Sequence, residues 1–99
     1  MRNVFLKQLL QRAQADPNVI LLTGDLGFKA LEDFQQLLPK QFFNVGAAEA
    51  NMIGVAAGLA ISGKKVFVYS IAPFITFRVY EHLRNDICHH QLDVNLIAT

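Results

Sequence analysis

Apolar positions change period several times along this chain, and the changes mark out its elements. Phe5, Leu6, Leu9, Leu10 and Ala13 recur at helical spacing, which predicts an amphipathic helix over residues 2–15. Asp16-Pro17-Asn18 then reads as a turn. Val19-Ile20-Leu21-Leu22-Thr23 is a short unbroken apolar run, the mark of a strand buried on both faces, and Gly24-Asp25-Leu26-Gly27 is a loop at its carboxyl end. Leu31, Phe34, Leu37 and Leu38 predict a second helix, stopped by Pro39. Phe42 to Val45 suits a short strand. Residues 47–62 read as a third helix closed by Gly63; it is apolar nearly all round, so it is expected to be buried. Within it, Gly54 and Gly58 are expected to serve helix packing inside the protein. Val66 to Ile71 reads as another buried strand, residues 74–90 as a fourth helix with Pro73 near its first turn, and Val94 to Ala98 as a last strand.

Helices alternating with buried strands predict an α/β fold, a mainly parallel sheet with helices on both faces. No repeat, linker or low-complexity segment interrupts it. No helix follows the last strand to cover it, so residues 1–99 are expected to be a domain incomplete at its C-terminus, or one completed by a partner. Composition points the same way. The chain has 99 residues and is 53% hydrophobic, with 8 Phe. Apolar usage is normally about 45–50% even with glycine counted. That is more apolar surface than one small core hides, and an interface is expected to take the remainder. The net charge of +1 and the scattered basic residues give no nucleic-acid footprint. Cys88, the single cysteine, excludes an internal disulfide and fits a reducing cytoplasm. The first residues do not read as a signal peptide, and Met52 to Ser62 is too short and too rich in Gly and Ala to span a bilayer.

In open parallel sheets, ligands bind outside the carboxyl ends of the strands. Three segments fall there: Gly24 to Gly27, Gly46 to Glu49, and Ser70 to Phe77. They offer two acids, Asp25 and Glu49, and two aromatics, Phe74 and Phe77, but no Gly-rich phosphate cradle. The set suits a flat, partly apolar group with a hydrogen-bonding edge. Glu49 stands out, because a carboxylate in so apolar a setting is expensive unless something binds it. Each residue also has a plainer reading. Glu49 suits a first-turn acid favoured by the helix dipole, Phe74 and Phe77 suit core positions, and Asp25 suits a turn. Cys88-His89-His90 makes a poor metal site, since consecutive helical residues point roughly 100° apart.

Taken in order, three segments resemble the pyrimidine-binding domain of transketolases, including the small C-terminal-section subunits of split transketolases. Phe42 to Ala60 is similar to the family's Gly-x-x-Glu turn opening an Ala/Gly-rich helix; Gly24-Asp25-Leu26-Gly27 resembles its Asp-Leu-Gly loop; and Phe74 to Ile87 resembles the helix with an aromatic pair and an Arg-Asn-Asp-Ile end. The resemblance implies thiamine diphosphate chemistry, in which a two-carbon ketol unit moves between sugar phosphates. It implies that Glu49 is the catalytic acid, hydrogen-bonded to N1′ of the aminopyrimidine. It further implies that Phe74 is the stacking floor, Phe77 a second wall, and Asp25 and Leu26 lining from the other side.

Ala50 and Ala47 depart from bulkier residues common in the family, which implies a roomier or differently bonded pocket. The diphosphate and its Mg²⁺ or Ca²⁺ are expected in a partner domain or subunit, within a homo- or hetero-oligomer. Alternatives on the same fold are a deoxyxylulose-phosphate synthase-like or 2-oxo acid dehydrogenase β-like subunit, or a non-catalytic assembly module.

Overall fold

The computed structural model describes residues 1–99, and its centre is a sheet of four strands, all parallel, in the order β2-β1-β3-β4. The strands are β1 (Val19–Thr23), β2 (Phe42–Asn44), β3 (Lys65–Ser70) and β4 (Val94–Ala98). All five residues of β1 are buried, as its unbroken apolar run requires of a central strand covered on both faces. Register runs Leu21 to Phe42 on one side of β1 and Leu21 to Phe67 on the other, and β3 continues to β4 with Ser70 opposite Ala98.

Alternation along the strands sorts the core into two layers. Ile20, Leu22, Val66 and Val68 face α3 (Glu49–Ile61), where they meet Met52, Ile53, Ala56 and Ala57. Val19, Leu21 and Tyr69 face α1 (Arg2–Ala15) and α2 (Glu32–Leu37), meeting Leu6, Leu9, Ala13 and Phe34. The predicted α/β architecture with helices on both faces is what the chain adopts. Gln41 ties the α1 layer to the sheet, its amide donating to the carbonyls of Ala13, Asp16 and Val19 at 2.9, 3.1 and 3.0 Å. The amide's two N–H groups are thus shared among three backbone oxygens at the α1–β1 turn.

Two expectations need correction. The region read as one helix over 74–90 is instead a chain of short turns. It comprises α4 (Ala72–Ile75), a 3₁₀ turn (Phe77–Val79), α5 (Tyr80–His82) and a π turn (Leu83–Cys88). Thr76 Oγ1 donates back to the carbonyl of Ala72 at 2.6 Å, a bond that bends helices, and its backbone leaves ideal helical angles at φ −118, ψ −80. The apolar positions Ile75, Val79, Leu83 and Ile87 are spaced by four, so an ideal helix would carry each one about 40° further round. The wider π turn, with bonds from His89 to Arg84 and from Leu92 to Ile87, helps bring Ile87 back onto the sheet.

The second correction concerns α3. One face is buried on the sheet, but Ala50, Asn51, Gly54, Gly58 and Ile61 are exposed. A Cβ built at Gly54 or Gly58 would meet nothing within 4 Å. Neither glycine packs against another element of this chain; both belong to the outer face.

No helix is long and apolar enough to cross a membrane.

Candidate functional site

Strand order places the site. From β1 the chain moves outward through α2 to β2, then crosses back over the other face of the sheet through α3 to β3. The direction of winding therefore reverses at β1 and β3, and the crevice beyond their carboxyl ends is where an open parallel sheet leaves room for a ligand. The loops after β1, β2 and β3 meet there.

Glu49 is the first residue of α3. Ala48 before it offers no capping side chain, so the carboxylate is the only anionic group in the first turn, where the positive end of the helix favours it. Its side chain is 12% exposed. Arg78 Nη1 stands 4.0 Å from Oε1, beyond hydrogen-bond distance. Gly24, buried after β1, forms the other wall: a Cβ there would come 3.4 Å from Glu49 Oε2 and 2.5 Å from the carbonyl oxygen of Gly46. The absence of a side chain at Gly24 lets the two loops touch and keeps one side of the carboxylate clear. Phe74, in α4 after β3, completes the group. The Arg78 guanidinium carbon lies 4.1 Å above the centre of its ring. One arginine therefore reaches both the carboxylate and the aromatic face, so Glu49 and Phe74 border the same space.

Phe77 falls in the 3₁₀ turn with its ring 84% exposed. Asp25 is engaged in a reciprocal pairing with Asn44. The Asp25 N–H donates to Asn44 Oδ1 at 3.0 Å, and Asn44 Nδ2 donates to Asp25 Oδ1 at 2.9 Å. Asn44 Oδ1 also accepts from the Gly46 N–H at 3.0 Å, so one amide links the loop after β1 to the turn before Glu49. Asp25 sits at φ 54, a left-handed conformation that aspartate tolerates better than most residues. With Leu26, it lines a separate cleft of about 340 Å³ together with Phe28, Glu32, Gln35 and Asn44. Glu49, Phe74 and Arg78 are not part of that cleft.

Two contributors escaped the sequence reading, Arg78 and Asn44, while Gly24 entered it only as part of the loop after β1. Arg78 was visible only as one member of Phe-Arg-Val, and its spacing from Glu49 along the chain carries no sign of contact. Ser70, at the carboxyl end of β3, also has a buried hydroxyl with no hydrogen-bond partner in the chain.

A planar group bearing ring nitrogens fits what is present. Phe74 offers a face for stacking, Glu49 a partly buried carboxylate with no hydrogen bond from Arg78, and Gly24 a wall without a side chain. No group of three or more His, Cys, Asp or Glu side chains is placed to hold a metal ion.

Comparison with known proteins shows the family. The family model described as transketolase, pyrimidine binding domain, matches residues 1–99. The 6-deoxy-6-sulfo-D-fructose transketolase subunit SqwH of Clostridium sp. is 36% identical over 100 residues, covering 100% of this chain and 31% of that protein. A subunit of the apulose-4-phosphate transketolase of Phocaeicola vulgatus is 39% identical over 98 residues, covering 98% of this chain and 31% of that one. A solved structure of a split gene transketolase, an inactive beta4 tetramer, superimposes with a TM-score of 0.88 at 39% identity, over 98% of this chain and 33% of its own. The chain thus spans about a third of the length of these transketolase relatives.

Proposed function

The chain belongs to the transketolase pyrimidine-binding domain family, and on that premise we propose that it contributes the aminopyrimidine half of a thiamine diphosphate site in a transketolase-type enzyme. The enzyme would transfer a two-carbon ketol unit between sugar phosphates. The observation that carries this reading is the shared space between Glu49 and Phe74, which Arg78 spans.

When bound, the cofactor supplies the nucleophilic carbon of ketol transfer. The chain's own residues have narrower tasks. Phe74 orients the flat aminopyrimidine by stacking, worth about 0.5–1.5 kcal/mol beyond burial. Glu49 holds a proton at the ring nitrogen N1′ and thereby biases the tautomer of the exocyclic amine, a general acid–base role. Gly24 and the Gly46 turn keep bulk away from the carboxylate. Asp25 and Leu26 line the neighbouring cleft after β1 and would approach the ring from that side, and Phe77 would close the outer edge of the site once a partner covers it.

A partner domain or subunit would hold the diphosphate and its Mg²⁺ or Ca²⁺. We place that partner on the outer face of α3, where Ala50, Gly54 and Gly58 leave backbone accessible, with the exposed rings of Phe77 and Tyr80 in the neighbouring turns. A single exposed cysteine, Cys88, supports a reducing compartment such as the cytoplasm.

The test is Glu49→Gln in the assembled enzyme. Ketol transfer between sugar phosphates should fall by about 10²–10⁴, the usual worth of a positioned proton donor or acceptor, while assembly by gel filtration is unchanged. Unimpaired transfer by the variant would sink the assignment. Decarboxylation of a 2-oxo acid without ketol transfer by the wild-type enzyme would move the chain to a different thiamine enzyme.

A further inference from the structure

One side chain at the site has no task in that function. Arg78 covers Phe74 at 4.1 Å from the ring centre and approaches Glu49 to 4.0 Å. A guanidinium is flat and delocalised, and it carries N–H donors around its edge. It therefore offers Phe74 a planar face and Glu49 a nitrogen-bearing edge, the two features an aminopyrimidine would offer them. We propose that Arg78 is a latch on the aminopyrimidine place, covering the face of Phe74 beside Glu49 in the free chain and giving way when the ring binds. The proposal rests on reading Glu49 and Phe74 as the aminopyrimidine contacts.

The latch is built to open. The Arg78 side chain is 62% exposed, against 12% for Glu49, so it already stands largely in water and can swing away from both partners. Its approach to Glu49 is beyond hydrogen-bond distance. The next residue, Val79, is 1% exposed and anchors the turn in the core, so the backbone stays in place when the side chain leaves. Because part of the latch is an attraction between opposite charges near solvent, salt weakens it. A neutral aminopyrimidine should therefore bind more tightly as ionic strength rises. An arginine that held an anionic ligand would show the reverse.

The probe is neutral 4-amino-5-hydroxymethyl-2-methylpyrimidine, titrated into the full chain and followed by NMR. In the free chain the side-chain protons of Arg78 should be displaced upfield by the Phe74 ring current, and the displacement should vanish at saturation. Arg78→Ala should bind the probe about three- to tenfold more tightly, the combined worth of an exposed cation–π contact and an exposed ion pair. Arg78→Lys, which keeps the charge and loses the plane, should fall between. Arg78 protons without an upfield shift in the free chain, a shift that survives saturation, or binding that weakens in Arg78→Ala would each overturn the latch. In all three cases, probe binding lost in Glu49→Gln and Phe74→Ala would leave the aminopyrimidine reading standing. Probe binding indifferent to Glu49→Gln and Phe74→Ala, or absent from both wild type and Arg78→Ala, would overturn that reading and the latch with it.

Discussion

Gly24 has no room for a side chain. A Cβ there would stand 2.5 Å from the Gly46 carbonyl oxygen, a backbone atom that cannot rotate away. Gly24→Ala should therefore push the turn before Glu49 off the loop after β1. Such overpacking typically costs about 1–3 kcal/mol. Urea denaturation should show the loss as a lower midpoint with an unchanged slope. An unaltered midpoint would mean that the two loops are not in firm contact. Among single residues, Glu49 was legible in the sequence because its chemistry clashes with its neighbours: an acid at the head of an Ala/Gly helix calls for an explanation on its own. Arg78 was not. Hydrophobic periodicity reports which face of an element is buried, and it says nothing of where a long cationic side chain reaches across to another element. Asn44 was hidden for a related reason, since its three hydrogen bonds join loops at the ends of two strands that only the folded sheet brings side by side.

Among the elements, α1, β1 and β4 were readable to the residue because in each a single period runs uninterrupted between breakers. The segment from Ala72 to Cys88 was not. Its apolar spacing of four falls between helix types, and the Thr76 back-bond that bends it depends on a rotamer. At the α1–β1 junction, an electrostatic device should be measurable. Asp16 follows α1 and accepts from the Asn18 N–H at 3.0 Å and from Lys65 Nζ at 2.9 Å, tying the turn to the start of β3. The Lys65 ammonium, and after it the Asn18 N–H, hold the Asp16 carboxyl below its ordinary value of 3.8. A carboxylate so depressed adds stability that is fully present above the unfolded-state pKa of about 3.9 and is lost as pH falls through the folded value. Wild type should therefore be more stable than Asp16→Asn at pH 7, and the gap should close at acid pH. Both partners are partly exposed, so the effect should be small and should shrink in high salt. A gap independent of pH would assign the difference to something other than ionisation.

For the whole molecule, the unexplained quantity is apolar surface. The sheet covers the inner face of α3, yet the outer face carries Ala50, Gly54 and Gly58, with Ile61 at 68% and nearby Phe77 and Tyr80 at 84% and 68% exposed. Gly in a helix interior is destabilising by roughly 0.5–1 kcal/mol relative to Ala, so two glycines on a face that meets nothing in this chain weaken the helix without local benefit. The reading that makes sense of them is close approach by a second backbone, as in the assembled enzyme proposed for this chain. Gly54→Leu separates the two effects. Nothing lies within 4 Å of the added Cβ, and Leu is a far better helix former than Gly, so the isolated chain should be as stable as wild type or more so. A partner helix packed at Gly54 would meet the new side chain directly, so association measured by sedimentation velocity should weaken by at least tenfold, about 1.4 kcal/mol. Greater thermal stability together with weaker association would identify this face as the contact. Unchanged association would move the partner to another surface, and with it the expected position of the diphosphate-binding half relative to Glu49.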